Sequence, residues 1–243
     1  MPSRSPDEAP LSLDHVVIVV DDLDDAISGF EAIGFHVERG GRTGPVHNAL
    51  IYFRDGTYIE LTTPVSSRLR RLFRLLSRLG LLRLLELLRP SLMQRFYCWF
   101  GGPVGLRDWC VRARDIATRI RQAEALGIEM HGAMPFHRTR PDGLVARWLL
   151  SGPTDRREPF LIEDITPTDL RVPHQTSPAH PNGVTGIHAV VLRAKPRLQL
   201  AGVSHRVVEE PGAPRLRLEL SAEGGPKGIL PRDRTARAWI EVV

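Results

Sequence analysis

His15 lies in a run of mostly apolar residues, Leu13-Asp14-His15-Val16-Val17-Ile18-Val19-Val20, and Glu60 lies between Ile59 and Leu61. An ionisable side chain on a buried strand costs several kcal/mol if it stays unpaired (~several, after relaxation). A divalent cation removes that cost. Imidazole and carboxylate together suit zinc, iron(II), manganese or nickel and do not choose among them. The pattern recurs. Glu163 follows Leu161-Ile162, Glu241 follows Trp239-Ile240, and His188 sits in Ile187-His188-Ala189-Val190. The expected metal ligands are therefore His15, Glu60, Glu163 and His188, with Glu60 or Glu163 also moving a proton. The plainer alternative places the glutamates on the solvent face of half-exposed strands and makes His15 a satisfied core histidine.

Further polar groups stand where a substrate would need them. His47-Asn48 begins a strand after a glycine-rich loop. Asn48 is an orienting amide, and His47 is a candidate general base. Arg138 and Arg140 can clamp a carboxylate or phosphate through two parallel N–H donors. His180, in His180-Pro181-Asn182-Gly183, is a candidate loop residue over a cleft. Against each stands an ordinary surface turn or solvated loop.

The elements that position these groups are repeated. Leu13 to Phe35 is written again 93 positions later, with Leu13, Asp22 and Gly34 meeting Leu106, Asp115 and Gly127. Such self-similarity marks a duplicated unit. In residues 11–64 a β-branched run predicts a buried strand. Asp22 then precedes Leu23, Ala26, Ile27 and Phe30 at helical spacing, and Gly34 ends that helix. Three strands follow, two of them joined by the Asp55-Gly56 turn. Residues 105–167 repeat the order strand, helix, strand, strand, strand, and place Asp108 opposite His15 in the alignment. Residues 168–185 are expected to be a loop. Residues 186–243 form a partial third unit of strands without the helix, because Pro196 and Gly202 interrupt it.

Residues 65–104 interrupt the repeat with arginine and leucine. Leu69, Leu72, Leu76 and Leu79 make one stripe at helical spacing, and Arg70, Arg74 and Arg78 another. Like charges four apart weaken an isolated helix. This segment therefore needs a partner: the domain itself, the other subunit of a homodimer, a membrane surface or an anionic ligand.

The chain has 243 residues and a net charge of +5. Its only lysines are Lys195 and Lys227, so the basic balance reflects arginine use throughout the chain more than a nucleic-acid footprint. Cys98 and Cys110 make no disulfide framework, which fits a cytoplasmic protein. Residues 1–10 lack an apolar core and read as a disordered end, not a signal peptide. Dinucleotide-binding, Walker and serine-elbow motifs are absent from the sequence.

Taken together, Leu13-Asp14-His15-Val16-Val17, His47-Asn48-Ala49-Leu50, Asp55-Gly56-Thr57-Tyr58-Ile59-Glu60-Leu61, Arg140-Pro141-Asp142-Gly143, Pro159-Phe160-Leu161-Ile162-Glu163 and His180-Pro181-Asn182-Gly183 resemble the glyoxalase-like domain family of the vicinal oxygen chelate superfamily. The resemblance implies an α+β fold of paired βαβββ modules whose curved mixed sheet encloses a cleft. It implies a divalent metal held from first and fourth strands, and lyase, isomerase or dioxygenase chemistry on a small oxygenated metabolite. His15 and Glu60 match first-module ligand positions and Glu163 a second-module one. Asp108 departs from the more usual ligand types there. A non-catalytic, ligand-sequestering protein of the bleomycin-resistance kind is the alternative.

Overall fold

A computed structural model describes residues 11–43, 46–88, 91–139, 143–172, 178–198 and 202–243. The first unit runs β1 (Ser12–Val19), α1 (Leu23–Ala32), β2 (Glu38–Thr43), β3 (Val46–Tyr52) and β4 (Tyr58–Pro64). Asp22 caps α1 by accepting from the N–H groups of Asp24 and Asp25. Gly34, at φ +85°, turns the chain out of it. A side chain there would meet Asn182, whose amide donates to Ile33 O at 2.9 Å. The second unit runs β5 (Gly105–Arg112), α5 (Ile116–Ala125), β6 (Met130–Thr139), β7 (Val145–Pro153) and β8 (Phe160–Asp164), with Asp115 as the cap of α5.

The two units make one eight-stranded mixed sheet in the order β2-β3-β4-β1-β5-β8-β7-β6. β1 pairs parallel with β4, β5 parallel with β8, and β1 antiparallel with β5 at the centre. The paired βαβββ architecture expected from the repeat is thus present. The third unit is a separate five-stranded sheet of β9 (Val184–Leu192), β10 (Val207–Glu209), β11 (Leu216–Ala222), β12 (Gly228–Ile229) and β13 (Ile240–Val242). Their order in the sheet is β10-β9-β11-β13-β12. Residues Ser204–Arg206 form a 3-10 turn that leads into the next strand.

Strand alternation sorts the large sheet into two faces. Val16, Ile18, Ile59, Leu61, Val111 and Leu161 share one core with α1, α5 and the five-stranded sheet. Val17, Cys110, Leu150, Phe160 and Ile162 turn the other way. The insertion covers that second face as three helices, α2 (Ser67–Arg78), α3 (Leu81–Leu88) and α4 (Leu92–Gly101). Leu92, Phe96 and Trp99 of α4 pack against Phe160 and its neighbours. Arg95 lies on the same stripe. It is buried and forks onto Asp108 through Nε and Nη2, both at 2.7 Å, while Trp99 Nε1 donates to the same carboxylate at 2.8 Å. One buried ion pair thus fixes the insertion to the sheet.

The segment expected to be a loop contains a short helix, α6 (Thr168–Arg171). After it, His180 packs edge-on to Phe35 and Phe53. His36 N donates to His180 Nδ1, and His180 Nε2 donates to Tyr52 O, each at 3.0 Å. Burial holds the His180 imidazole below its ordinary value. The neutral ring therefore contributes stability above the unfolded pKa of about 6.5, and that contribution is lost as pH falls through the folded value. The urea midpoint should fall between about pH 7 and pH 5, and a His180→Gln variant should show a flatter profile across that window.

Candidate functional site

Between the covered face and the insertion lies a cavity of about 170 Å³. Its floor is the sheet: His15, Asn48, Tyr58 and Glu60 on one side of the seam, and Leu150, Phe160 and Ile162 on the other. Its roof is Leu69 and Phe73 from α2 and Met93, Phe96, Trp99 and Phe100 from α4. Such a mainly apolar cavity with a few converging polar groups is the usual form of a small-molecule site.

The polar groups form a chain of contacts. Glu60 Oε1 accepts from Asn48 Nδ2 at 2.7 Å, and Glu60 Oε2 lies 3.7 Å from His15 Nε2. The imidazole stacks on Tyr58 at 4.5 Å and meets the edge of Phe160 at 5.3 Å. Its other nitrogen, Nδ1, is 2.7 Å from Asp14 Oδ1. With Asp14 ionised, Nδ1 carries the proton and Nε2 offers its lone pair to the cavity. Burial alone would raise the Asp14 carboxyl. Arg171, the His15 hydrogen bond and Arg112 outweigh that and hold it well below the carboxylate range. Arg171 forks onto Asp14 at 3.0 and 2.9 Å, holds Asp164 at 2.6 and 2.9 Å, and donates to Tyr58 Oη at 2.9 Å. Burial keeps the Tyr58 phenol neutral, its pKa pushed well above 10.

Of the residues expected from sequence, His15, Asn48, Glu60 and Arg138 converge on this cavity. Arg138 donates to Gly40 O at 2.9 Å and Arg171 O at 3.0 Å, so it braces the wall. Four others do not converge. Glu163 turns to the opposite face with Leu161, and its Oε2 accepts from Ile116 N at 2.8 Å, at the start of α5. His188 is exposed on β9, in the other sheet, 3.5 Å from Ser221 Oγ. His47 alternates away from the cavity between Val46 and Asn48, which line it. His180 is the loop anchor described above. Arg140 lies outside the described residues.

The register explains the mismatch in the second unit. His15 pairs with Cys110 across the central seam. His15 pairs with Tyr58, as Cys110 does with Phe160. Two residues further along the paired strands, the equivalent of Glu60 is Ile162. The second unit therefore offers a thiol and a hydrocarbon where the first offers imidazole and carboxylate. Burial pushes the Cys110 thiol well above its ordinary pKa. Asp14, His15 and Cys110 present donor atoms within 4.8 Å of one another. Asp14, however, already satisfies two guanidinium groups, so the donors that fit a divalent cation in the cavity are His15 Nε2 and Glu60 Oε2, with Cys110 adjacent. Sequence reasoning missed Asp14, Arg171 and Cys110. A carboxylate inside a β-branched run was the available signal for Asp14, because it demands buried cations.

A family model described as a glyoxalase-like domain matches residues 13–208. No curated protein matches the chain in sequence. Among solved structures, a hypothetical protein from Staphylococcus aureus has a TM-score of 0.67 at 14% identity, covering 96% of this chain and 100% of its own. A catechol 2,3-dioxygenase has a TM-score of 0.47 at 12% identity, with 89% of this chain and 77% of that chain covered. The Mn(II)-bound glyoxalase from Novosphingobium aromaticivorans has a TM-score of 0.42 at 12% identity, with 86% and 64% covered. By the extent of the family match, this chain belongs to the glyoxalase-like domain family.

Proposed function

We propose that the protein is an enzyme for a small oxygenated metabolite with an apolar part, and that His15 and Glu60 hold a divalent cation in its cavity. The observation that carries this reading is the convergence of His15 Nε2 and Glu60 Oε2, 3.7 Å apart, on one largely apolar space. Each donor has a second atom fixed from behind, by Asp14 and Asn48 respectively. Zinc, iron(II), manganese and nickel all suit the pair. When bound, the ion supplies Lewis-acid polarisation of substrate oxygens.

The chain's own residues do the rest. Glu60 Oε1, the oxygen not given to the cation, takes up and returns a proton of the substrate, in isomerase- or lyase-type chemistry, while the Asn48 amide at 2.7 Å fixes the carboxylate plane. Phe73, Phe96, Trp99 and Phe160 exclude water and bind the apolar part. Arg171 acts through Asp14 and is a positioning residue.

Sequestration of a ligand without chemistry is the second reading, favoured by one observation: Cys110 and Ile162 leave the second unit without the pair that the first unit has. A small hydroxamate, which offers two neighbouring oxygens, separates the two. It should quench tryptophan fluorescence in Mn(II)-loaded protein at least tenfold more tightly than in chelator-treated protein. Equal binding to both forms would favour sequestration and sink the enzyme reading.

A further inference from the structure

The insertion roofs the cavity with one side of α2 and leaves its other side, and most of α3, apolar and exposed. A surface helix of a globular protein normally turns its apolar stripe inward. Here α3 does the reverse. Leu81, Leu84, Leu85 and Leu88 recur at i, i+3, i+4 and i+7 and face out, Leu84 at 50% and Leu88 at 69% exposure, while Leu82 alone is buried. Leu72 and Leu75 on α2 and Leu79 at its C-cap are exposed as well. Eight exposed leucines fall between positions 72 and 88 once Leu87 is added. So many exposed leucines within seventeen positions mark an interaction site.

Its charges point to the occupant. Arg68, Arg71, Arg78 and Arg83 are exposed on the same two helices, and none pairs with a carboxylate among the described residues. Arg70 and Arg74 differ: both reach Asp21, at 2.9 and 2.7 Å, and hold α2 to the first unit. A second copy of this chain docked through the same face would bring together two patches whose unpaired charges are all positive. An anionic bilayer surface neutralises them and takes the leucines into its acyl boundary. No helix among the described residues is long and apolar enough to cross a membrane.

We propose that the α2–α3 hairpin is a membrane-docking element that lays its leucine stripe on an anionic lipid surface, with the arginines at the headgroups. This does not depend on whether the cavity is catalytic.

Vesicle flotation of the full chain tests it. The protein should float with phosphatidylglycerol/phosphatidylcholine vesicles at low salt, and at least tenfold less with phosphatidylcholine alone. Leu84→Asp with Leu88→Asp should abolish flotation, and circular dichroism should show the fold retained, since both side chains are already exposed. Arg71→Gln with Arg78→Gln should weaken binding and reduce its salt dependence. The proposal is overturned if the wild-type chain stays unbound to anionic vesicles, or if the leucine variant floats as well as wild type. It is also overturned if light scattering finds a dimer that the same leucine substitutions dissociate, because the face then belongs to a second copy.

Discussion

Replacing Arg171 with alanine should lower the unfolding free energy by about 3–5 kcal/mol, the range for breaking a buried ion pair by removing one partner. The guanidinium is buried and uses its nitrogens on Asp14, Asp164 and Tyr58. Removing it leaves Asp14, with no exposed surface, dependent on Arg112 and His15 alone. Asp164 is left nearly buried, with Thr168 Oγ1 at 3.0 Å and Arg112 at 3.9 Å. Arg171→Lys should recover less than half the loss, because one ammonium cannot fork onto two carboxylates. Urea unfolding with an unchanged slope and a lowered midpoint is the expected reading. A loss under about 1 kcal/mol would mean that these contacts contribute no more than a surface pair does.

The second large effect concerns Arg95 and Asp108. Arg95→Met should cost a similar ~3–5 kcal/mol, since Asp108 would then be buried with little beyond the Trp99 N–H and its neighbour's amide. Asp108→Leu should cost as much by stranding the guanidinium, whose remaining hydrogen-bond acceptors are the carbonyls of Pro153 and Glu158. Arg95→Met combined with Asp108→Leu should be more stable than either single variant by at least about 2 kcal/mol, because well-packed apolar groups can replace a buried ion pair at little cost. Simple additivity in that double-mutant cycle would show that the two residues do not act as a pair. Trp99 loses its acceptor in the Asp108 variants, so its fluorescence should report the change at the cavity roof.

These two pairs also mark the limit of what the sequence could tell. The β-branched runs, the Asp22 and Asp115 caps and the glycine stops act over a few residues, so the repeated strand–helix–strand order was legible. So was the His15 and Glu60 pair, because both lie within the first unit. Which residues face each other across the seam was not legible. The 93-residue offset holds for β1 and β5 and for α1 and α5, yet the antiparallel pairing sets Cys110, two residues past Asp108, directly opposite His15. Two residues are one full pleat, so the alternation of inward and outward side chains is the same for both and does not tell them apart. On the fourth strands, the shared Ile-Glu dipeptide matched Glu60 to Glu163. The register instead places Ile162 at that position, and a slip of one residue carries a side chain to the opposite face.

Long-range ion pairs were hidden for a different reason. Arg171 is 157 positions from Asp14, and nothing in its local sequence sets it apart from a surface arginine. Arg95 did carry a signal, since it shares a helical stripe with Leu92, Phe96 and Trp99. An arginine on the apolar side of a helix requires a buried carboxylate, and Asp108, inside a strand, was the available one.

Metal content of the untagged chain, purified without chelator, tests the central claim most directly. About one transition-metal ion per chain is expected, reduced at least tenfold in His15→Ala and in Glu60→Gln with the fold intact. A folded wild-type chain that carries no metal and takes up none from added zinc, iron(II), manganese or nickel would contradict it, as would variants that keep the full complement.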